Sequence, residues 1–253
     1  MAVLFGEFCA KFNFDKARRG HVGVEREYFL ADQTNTPVPR SPEFLAAIND
    51  PAWTYELSAC QVEHRTIPHG TRSGLLKDLD LNQRRGRDVA RGLGLVLLSQ
   101  ELASAHMSTA IYPHDERYAG IAQRIGPKNL LAACRVAGVH LHLGMSDLDH
   151  AIQVHNALIP RIPELCAMGD HSGGERLRQY AAMAIRGMPP PFQSVLDFYT
   201  YAHEEGFAEN PRDCWNLVRI SRHGTVELRM FGMTGDVNEI MGWVAHVTSI
   251  AGL

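Results

Sequence analysis

Polar and hydrophobic residues alternate in four short stretches of the chain, and this pattern predicts four β-strands. The stretches are HVGVEREYFL (21–30), CQVEHR (60–65), GVHLHL (138–143) and GTVELRM (224–230). Alternate side chains of a strand point to opposite faces of a sheet. If the four strands lie in one sheet, that sheet has one hydrophobic face and one face rich in carboxylates, imidazoles and guanidinium groups. Such an arrangement is typical of an enzyme.

The remaining segments predict helices and further strands in alternation. Helical spacing of hydrophobic residues predicts helices near residues 41–49, 71–92, 115–133 and 194–205. Two more helices should begin at caps formed by Asp147 and Asp236. Prolines at 160 and 163 should split the helix that follows Asp147. Additional strands are expected near 53–58, 93–98 and 215–220, and three consecutive prolines predict a rigid loop over 185–192.

No low-complexity segment or long polar linker divides the chain. We therefore expect a single α+β domain over residues 1–253, built on a largely antiparallel sheet. A net charge of −3, from 25 basic and 28 acidic residues, gives no field for binding nucleic acid or an anionic membrane. Five widely spaced cysteines without a CxxC motif indicate reduced thiols. No apolar run approaches the roughly 20 residues of a membrane span, so we expect a cytoplasmic protein.

The polar faces of the four strands indicate a metal site when they are considered together. Taken alone, two polar residues that are two positions apart in a strand are more typical of a solvated strand face or a surface ion pair. Several carboxylates on one face repel one another unless cations neutralise them. Oxygen-rich clusters with an occasional imidazole suit Mg²⁺ or Mn²⁺, and the lack of a cysteine–histidine cluster argues against structural zinc.

A carboxylate-held Mg²⁺ most often serves the phosphates of a nucleotide. The chain has neither a GxxxxGK[ST] nor a GxGxxG motif, which argues against a P-loop or Rossmann site. The remaining option is an ATP site formed by sheet-borne carboxylates and arginines, because a guanidinium can hold phosphate oxygens in two parallel hydrogen bonds.

Several motifs, in order along the chain, resemble the glutamate–cysteine ligase type 2, or carboxylate–amine ligase, family. They span residues 20 to about 250 and comprise GVEREYFLAD (23–32), Glu56-Leu57 with QVE (61–63), AGVHLHLG (137–144), GMPPPF (187–192), Trp215 and RHGTVELR (222–229). The resemblance implies a glutamine-synthetase-like catalytic domain, in which a curved, largely antiparallel sheet forms a funnel with helices on its outer face. It also implies an ATP- and Mg²⁺-dependent ligase. Such an enzyme would activate the γ-carboxylate of glutamate as an acyl phosphate and join it to cysteine or another amine.

The same resemblance implies roles for individual residues. The metal ligands would be Glu25, Glu27, Glu63, His140 and Glu227. The catalytic groups would be Arg229, Arg222 and Glu227, and the nucleotide-binding groups would be His142, Arg229, Arg222 and Arg176. For Arg176 the alternative is a charge on a helix surface. Because sheet-based ligases of this kind often pair, we also expect a homodimer.

The chain departs from the family pattern at several places, among them a shortened stretch at 170–174 and a strand before Arg222 that is one residue out of step. Family members commonly continue beyond the final strand–helix unit, whereas this chain stops at Leu253, so we expect the family's C-terminal extension to be absent. His223 stands where the family often has an aromatic residue. Two alternatives to a ligase follow: a degenerate homologue that binds nucleotide or amino acid, or acts only with a partner subunit, and a phosphotransferase or hydrolase that uses the same metal site.

Overall fold

One antiparallel sheet of seven strands runs through the part of the chain that this computed structural model describes, residues 3–183 and 188–253. The strands are β1 (Val22–Ala31), β2 (Trp53–Tyr55), β3 (Gln61–Arg65), β4 (Val96–Leu98), β5 (Gly138–Gly144), β6 (Val218–Ser221) and β7 (Thr225–Gly232). Their order is β2-β3-β1-β5-β7-β6, and β4 pairs with the C-terminal end of β1. The four strands predicted from alternation are β1, β3, β5 and β7, and they lie side by side.

Helices occupy most of the remaining described chain. They are α1 (Phe5–Cys9), α2 (Ser41–Ile48), α3 (Arg72–Gly92), α4 (Glu116–Arg135), α5 (Leu148–Leu158), α6 (Ile162–Met168), α7 (Glu175–Met183), α8 (Val195–Glu204) and α9 (Val237–Ala251). Asp147 and Asp236 cap α5 and α9 as expected, since each carboxylate accepts a hydrogen bond of 2.8 Å from a backbone N–H of the first turn. A 3₁₀ turn, Ile159–Arg161, separates α5 from α6 at the predicted prolines.

Helices α3, α5, α6 and α9 pack on the hydrophobic face of the sheet. Val24, Leu141 and Leu228 point to this face and are at most 1% exposed. Arg26 is fully buried there, and its guanidinium donates hydrogen bonds to Gln83 Oε1 (3.0 Å) and to the Leu79 carbonyl (2.9 Å), both in α3. Burial of this face leaves the polar face free for chemistry. The predicted α+β class with outer-face helices is confirmed.

The structure differs from the sequence prediction in a few elements. Helix α4 was expected to be continuous, but it breaks at Gly126, whose φ of 76° is left-handed, and Pro127 begins the second part. Strand β4 covers only the end of the predicted 93–98 segment. Residues 188–192 of the proline loop are neither helix nor strand, whereas 185–187 lie outside the described residues. Among the helices that the structure describes, none has the length and apolarity required to cross a membrane.

Candidate active site

Strand register brings the predicted metal ligands together on the polar face of the sheet. The pairing of β1 with β3 places Glu27 opposite Glu63. The pairing of β1 with β5 places Glu25 opposite His140. Residues directly opposite each other in neighbouring strands project to the same face. Four of the five predicted metal ligands therefore form one patch.

The side chains of this patch are in contact. His140 Nδ1 lies 3.2 Å from Glu25 Oε2, and His140 Nε2 lies 3.6 Å from Glu27 Oε1. The second oxygen of Glu27 accepts a hydrogen bond of 2.6 Å from the backbone N–H of Gly138. His142 Nε2 lies 3.4 Å from Glu25 Oε2. Glu25 thus contacts both imidazoles of β5.

Two groups of three side chains in this patch have the geometry of a cation site. Glu25, Glu63 and His140 each offer one ligand atom, and these atoms lie within 4.8 Å of one another. Glu27, Glu56 and Glu63 form a second such group. Burial raises the pKa of Glu63 well above its usual range, and the carboxylates of Glu25 and Glu56 raise it further. A divalent cation would relieve this repulsion, and the donor set of carboxylates with one imidazole fits Mg²⁺ or Mn²⁺.

Glu227 belongs to a third group, with Glu25 and His142, but both of its oxygens already have partners. Arg219 Nε donates to Oε2 (2.7 Å), and Arg229 Nη1 donates to Oε1 (2.6 Å). Burial would raise the pKa of Glu227, but the two guanidinium groups outweigh burial and hold this pKa below its usual range. Glu227 is therefore an anionic counter-ion of two arginines, and its role as a metal ligand stays a prediction.

Arg229 is held in one orientation by contacts on both sides. Its Nη1 bonds to Glu227, and its Nε donates to the hydroxyl oxygen of Tyr180 (3.1 Å). The Tyr180 hydroxyl donates in turn to the carbonyl of Trp215 (2.8 Å). Burial would lower the pKa of Arg229, but Tyr180 and Glu227 raise it well above its usual range. The guanidinium is permanently charged and fixed in place.

Arg176 lies inside the molecule and is 2% exposed, so the alternative of a helix-surface charge is wrong. Its Nε donates to the carbonyl of Ala137 (2.9 Å), and its Nη1 donates to the carbonyl of Met230 (3.0 Å). The guanidinium occupies the space beside Gly138 where a larger residue would place its Cβ. Arg176 therefore joins α7 to β5 and β7. Its contact with a nucleotide stays a prediction.

A cavity of about 320 Å³ lies over the polar face of the sheet. All of the predicted metal, catalytic and nucleotide-binding residues line it, namely Glu25, Glu27, Glu63, His140, His142, Arg176, Arg222, Glu227 and Arg229. His142 is anchored by a 2.9 Å contact between its Nδ1 and Thr225 Oγ1. The sequence therefore located the residues that meet in one cavity, although their individual roles stay predictions.

Further charged or polar residues line the same cavity, although no role was assigned to them from the sequence. They include Glu56, Arg117, Tyr118, Arg212 and Arg219. A signal existed for Arg219, because it alternates with the buried Val218 and Ile220 and so had to project to the polar face. Arg117 and Arg212 come from the start of a helix and from a 3₁₀ turn, where no alternation marks them.

Solved structures of two ligases share this fold. The bifunctional glutathione synthetase of Pasteurella multocida matches with a TM-score of 0.59 and 12% sequence identity, over 93% of this chain and 38% of that chain. A glutamine synthetase of Plasmodium falciparum matches with a TM-score of 0.50 and 8% identity, over 92% of this chain and 51% of that chain. The chain therefore has a glutamine-synthetase-like fold.

The sequence comparison is more specific. The model of a family described as glutamate–cysteine ligase family 2 matches residues 21–250. The chain belongs to this family, as its motifs predicted.

Named relatives agree with this assignment. A putative glutamate–cysteine ligase 2 of Micrococcus luteus is 26% identical over 92% of this chain and 65% of its own length. A glutamate–cysteine ligase of Natronomonas pharaonis is 25% identical over 92% of this chain and 69% of its own length. A putative glutamate–cysteine ligase 2 of Bradyrhizobium sp. strain BTAi1 is 28% identical, over 90% of this chain and 60% of its own length. The chain thus spans 60% to 69% of the length of these three relatives.

Proposed function

We propose that the cavity catalyses the ATP- and Mg²⁺-dependent ligation of a carboxylic acid to an amine, with glutamate as the acid and cysteine or another amine as the acceptor. The observation that carries the proposal is the contact cluster of Glu25, Glu63 and His140 on one sheet face, in the same cavity as several arginines. Membership of the glutamate–cysteine ligase family 2 supports the choice of reaction.

In this proposal, Glu25, Glu63 and His140 hold one divalent cation, and Glu27, Glu56 and Glu63 provide ligands for another. Bound Mg²⁺ would neutralise phosphate oxygens of ATP during transfer. The chain's own contribution is geometric, because the adjacent strands β1, β3 and β5 fix all of these side chains except that of Glu56 before any ligand arrives. Phosphoryl transfer depends mainly on such positioning and charge neutralisation.

The proposed reaction has two steps. A carboxylate oxygen of the acid attacks the γ-phosphorus of ATP, the bond to the β–γ bridging oxygen breaks, and ADP leaves. The amine then attacks the acyl carbon, phosphate leaves with the bonding electrons, and the amine loses a proton. Arg229 contributes a fixed positive charge, because Glu227 and Tyr180 orient its guanidinium. Negative charge that develops on the transferred group would be stabilised there.

Three broader predictions belong to the same proposal. The activity is assigned to one domain over residues 1–253, the protein is placed in the cytoplasm, and the chain is expected to form a homodimer. The five cysteines are free in the structure, which suits a reducing compartment.

The test is product analysis of the full chain incubated with ATP, Mg²⁺, glutamate and a panel of amines that includes cysteine. A ligase yields ADP, phosphate and an amide in equal amounts. Release of ADP and phosphate without any amide would instead indicate hydrolysis. ATP binding without turnover for any acid and amine pair would indicate a nucleotide-binding homologue.

A further inference from the structure

Apart from Arg176, whose guanidinium donates to backbone carbonyls, three arginines line the cavity without a buried carboxylate partner. They are Arg117, Arg212 and Arg222. They differ from Arg219 and Arg229, which both form ion pairs with the buried carboxylate of Glu227. Within the part of the chain that the structure describes, neither Arg212 nor Arg222 forms an ion pair. Arg117 has only a contact of 3.8 Å between its Nε and Asp115 Oδ2.

The backbones that carry these arginines are fixed by the fold. Arg117 lies in the first turn of α4, and its guanidinium sits 4.7 Å from the centre of the Tyr118 ring. The carbonyl of Arg212 accepts a hydrogen bond of 3.3 Å from Arg219 Nη1. The carbonyl of Arg222 accepts one of 2.9 Å from the backbone N–H of Asn13. The three guanidinium groups thus approach one cavity from α4, from the 3₁₀ turn Pro211–Asp213 and from the β6–β7 turn.

This arrangement is electrostatically unfavourable as long as no anion is bound. Arg212 is partly exposed, but desolvation at the cavity still lowers its pKa, and the positive charges of Arg222, Arg117 and Arg219 lower it further. Arg222 Nε is buried and has no hydrogen-bond acceptor among the described residues. A buried donor without an acceptor is destabilising. Both features are relieved by one kind of ligand, a group with several negatively charged oxygens.

The carboxylates of the same cavity do not relieve these charges, because acids and arginines are segregated. Glu25, Glu27 and Glu63 cluster with one another and with the imidazoles of β5. The described contacts between the acids and the arginines of the cavity are those of Glu227 and one of 3.6 Å between Arg65 Nε and Glu63 Oε1. Opposite charges that stay apart in one cavity favour a ligand that contacts both.

We propose that Arg117, Arg212 and Arg222 form an oxyanion site that binds a phosphate or carboxylate group of a substrate. A guanidinium pairs with either group through two parallel hydrogen bonds. None of these contacts requires a metal, so the site is separate from the carboxylate cluster. The inference rests on the proposed function only in taking the occupant to be a substrate of ligation. Arg117 and Arg212 are additions to the residues that the sequence motifs marked.

The experiment is isothermal calorimetry of the full chain without divalent cations, with two separate probes. ADP represents a phosphate ligand, and glutarate represents a carboxylate ligand without an amine. We expect R212Q and R222Q to weaken binding of one probe by about tenfold or more, because each removes a charged hydrogen-bond donor. R117Q should have a smaller effect, because Asp115 Oδ2 already lies 3.8 Å from Arg117 Nε and offsets part of its charge. The probe whose affinity falls identifies the source of the oxyanion.

Two kinds of control variant accompany these three. R124Q changes an exposed arginine of α4 outside the cavity and should bind both probes as the wild type does. R212K and R222K keep the positive charge but lose the planar fork, so they should bind with intermediate affinity. Circular dichroism and the thermal midpoint establish that each variant is folded. A variant that fails to fold is replaced in the comparison by its lysine counterpart.

The oxyanion site is contradicted if the wild type binds neither probe, or if R212Q and R222Q bind both probes as tightly as R124Q does. These outcomes are separable from failure of the proposed function. If the chain binds a probe through these arginines but forms no amide with any acceptor, the oxyanion site is supported and the ligase assignment is wrong. If the chain forms amide and R212Q and R222Q have unchanged KM values, the ligase assignment is supported and the oxyanion site is wrong.

Discussion

Among single residues, His155 is predicted to make the stability of the fold depend on pH. It is 1% exposed and stacks on Phe192 with ring centres 4.9 Å apart. Burial lowers the pKa of His155 to about 4. The unfolded chain has a histidine pKa of about 6.5, so between about pH 6.5 and 4 only the unfolded state binds this proton. The stabilising contribution is therefore complete above about pH 6.5 and is lost as the pH falls towards 4.

The expected loss from His155 is at most about 3 kcal/mol in the free energy of unfolding. Urea unfolding of the wild type and of H155L at several pH values measures it. The leucine variant should lose less stability between pH 6.5 and 4. H106L, at an exposed histidine, should follow the wild type. Parallel curves for H155L and the wild type would refute the assignment.

At the same scale, the sequence identified which residues meet but not how they pair. Alternation placed Glu25, Glu27 and Glu63 on one face, because period-two geometry is a local property of a strand. The pairing of Glu227 with Arg219 depends on which strand lies next to β7, and local pattern does not encode this, whereas its other partner, Arg229, lies two residues further along β7 itself. The burial of Arg176 likewise depends on how α7 packs against the start of β5 at Gly138.

Among the structural elements, the turn between β6 and β7 is tightly constrained by the N-terminal segment. Gly224 has a φ of 70°, and a Cβ there would collide with the carbonyl oxygen of Asn13. Gly206 has a similar φ of 77° but open space around the position of a Cβ. Alanine at 206 should thus show only the cost of a left-handed conformation, about 1 kcal/mol. Alanine at 224 adds a collision between backbones.

We therefore predict that G224A lowers the free energy of unfolding by at least about 2 kcal/mol more than G206A does. The turn also carries Arg222, so the displaced backbone should weaken oxyanion binding in G224A but not in G206A. Urea unfolding and calorimetry of both variants provide the measurements. Equal losses of stability in the two variants would contradict this prediction and would show that the N-terminal segment shifts to make room for the new Cβ.

Elements with a strong periodic pattern were predictable, and those that depend on tertiary contacts were less so. The caps at Asp147 and Asp236 and the split at the two prolines follow from local chemistry. The break of α4 was missed because hydrophobic spacing continues on both sides of Gly126, although the Gly-Pro pair itself was a signal. Strand β4 is short because it pairs only with the last three residues of β1.

At the scale of the whole molecule, one sheet separates two environments. Its outer face packs against α3, α5, α6 and α9, and its polar face lines the cavity. The cavity carries an acidic cluster beside β1 and β3 and an arginine group from more distant segments. The fold class and the acidic cluster followed from the sequence. Of the arginine group, Arg222 followed from the family motif. Arg117 and Arg212 did not, because α4 and the 3₁₀ turn Pro211–Asp213 reach the cavity only through the tertiary fold.

The most direct test of the account is a titration of the full chain with Mn²⁺, followed by electron paramagnetic resonance of the free ion. The wild type should bind Mn²⁺. E63Q should bind it at least about tenfold more weakly, because Glu63 belongs to both three-residue groups of the cluster. E204Q, at an exposed carboxylate of α8, should match the wild type. Mn²⁺ binding that is equal in all three proteins, or absent from the wild type, would contradict the central claim that this sheet face holds divalent cations.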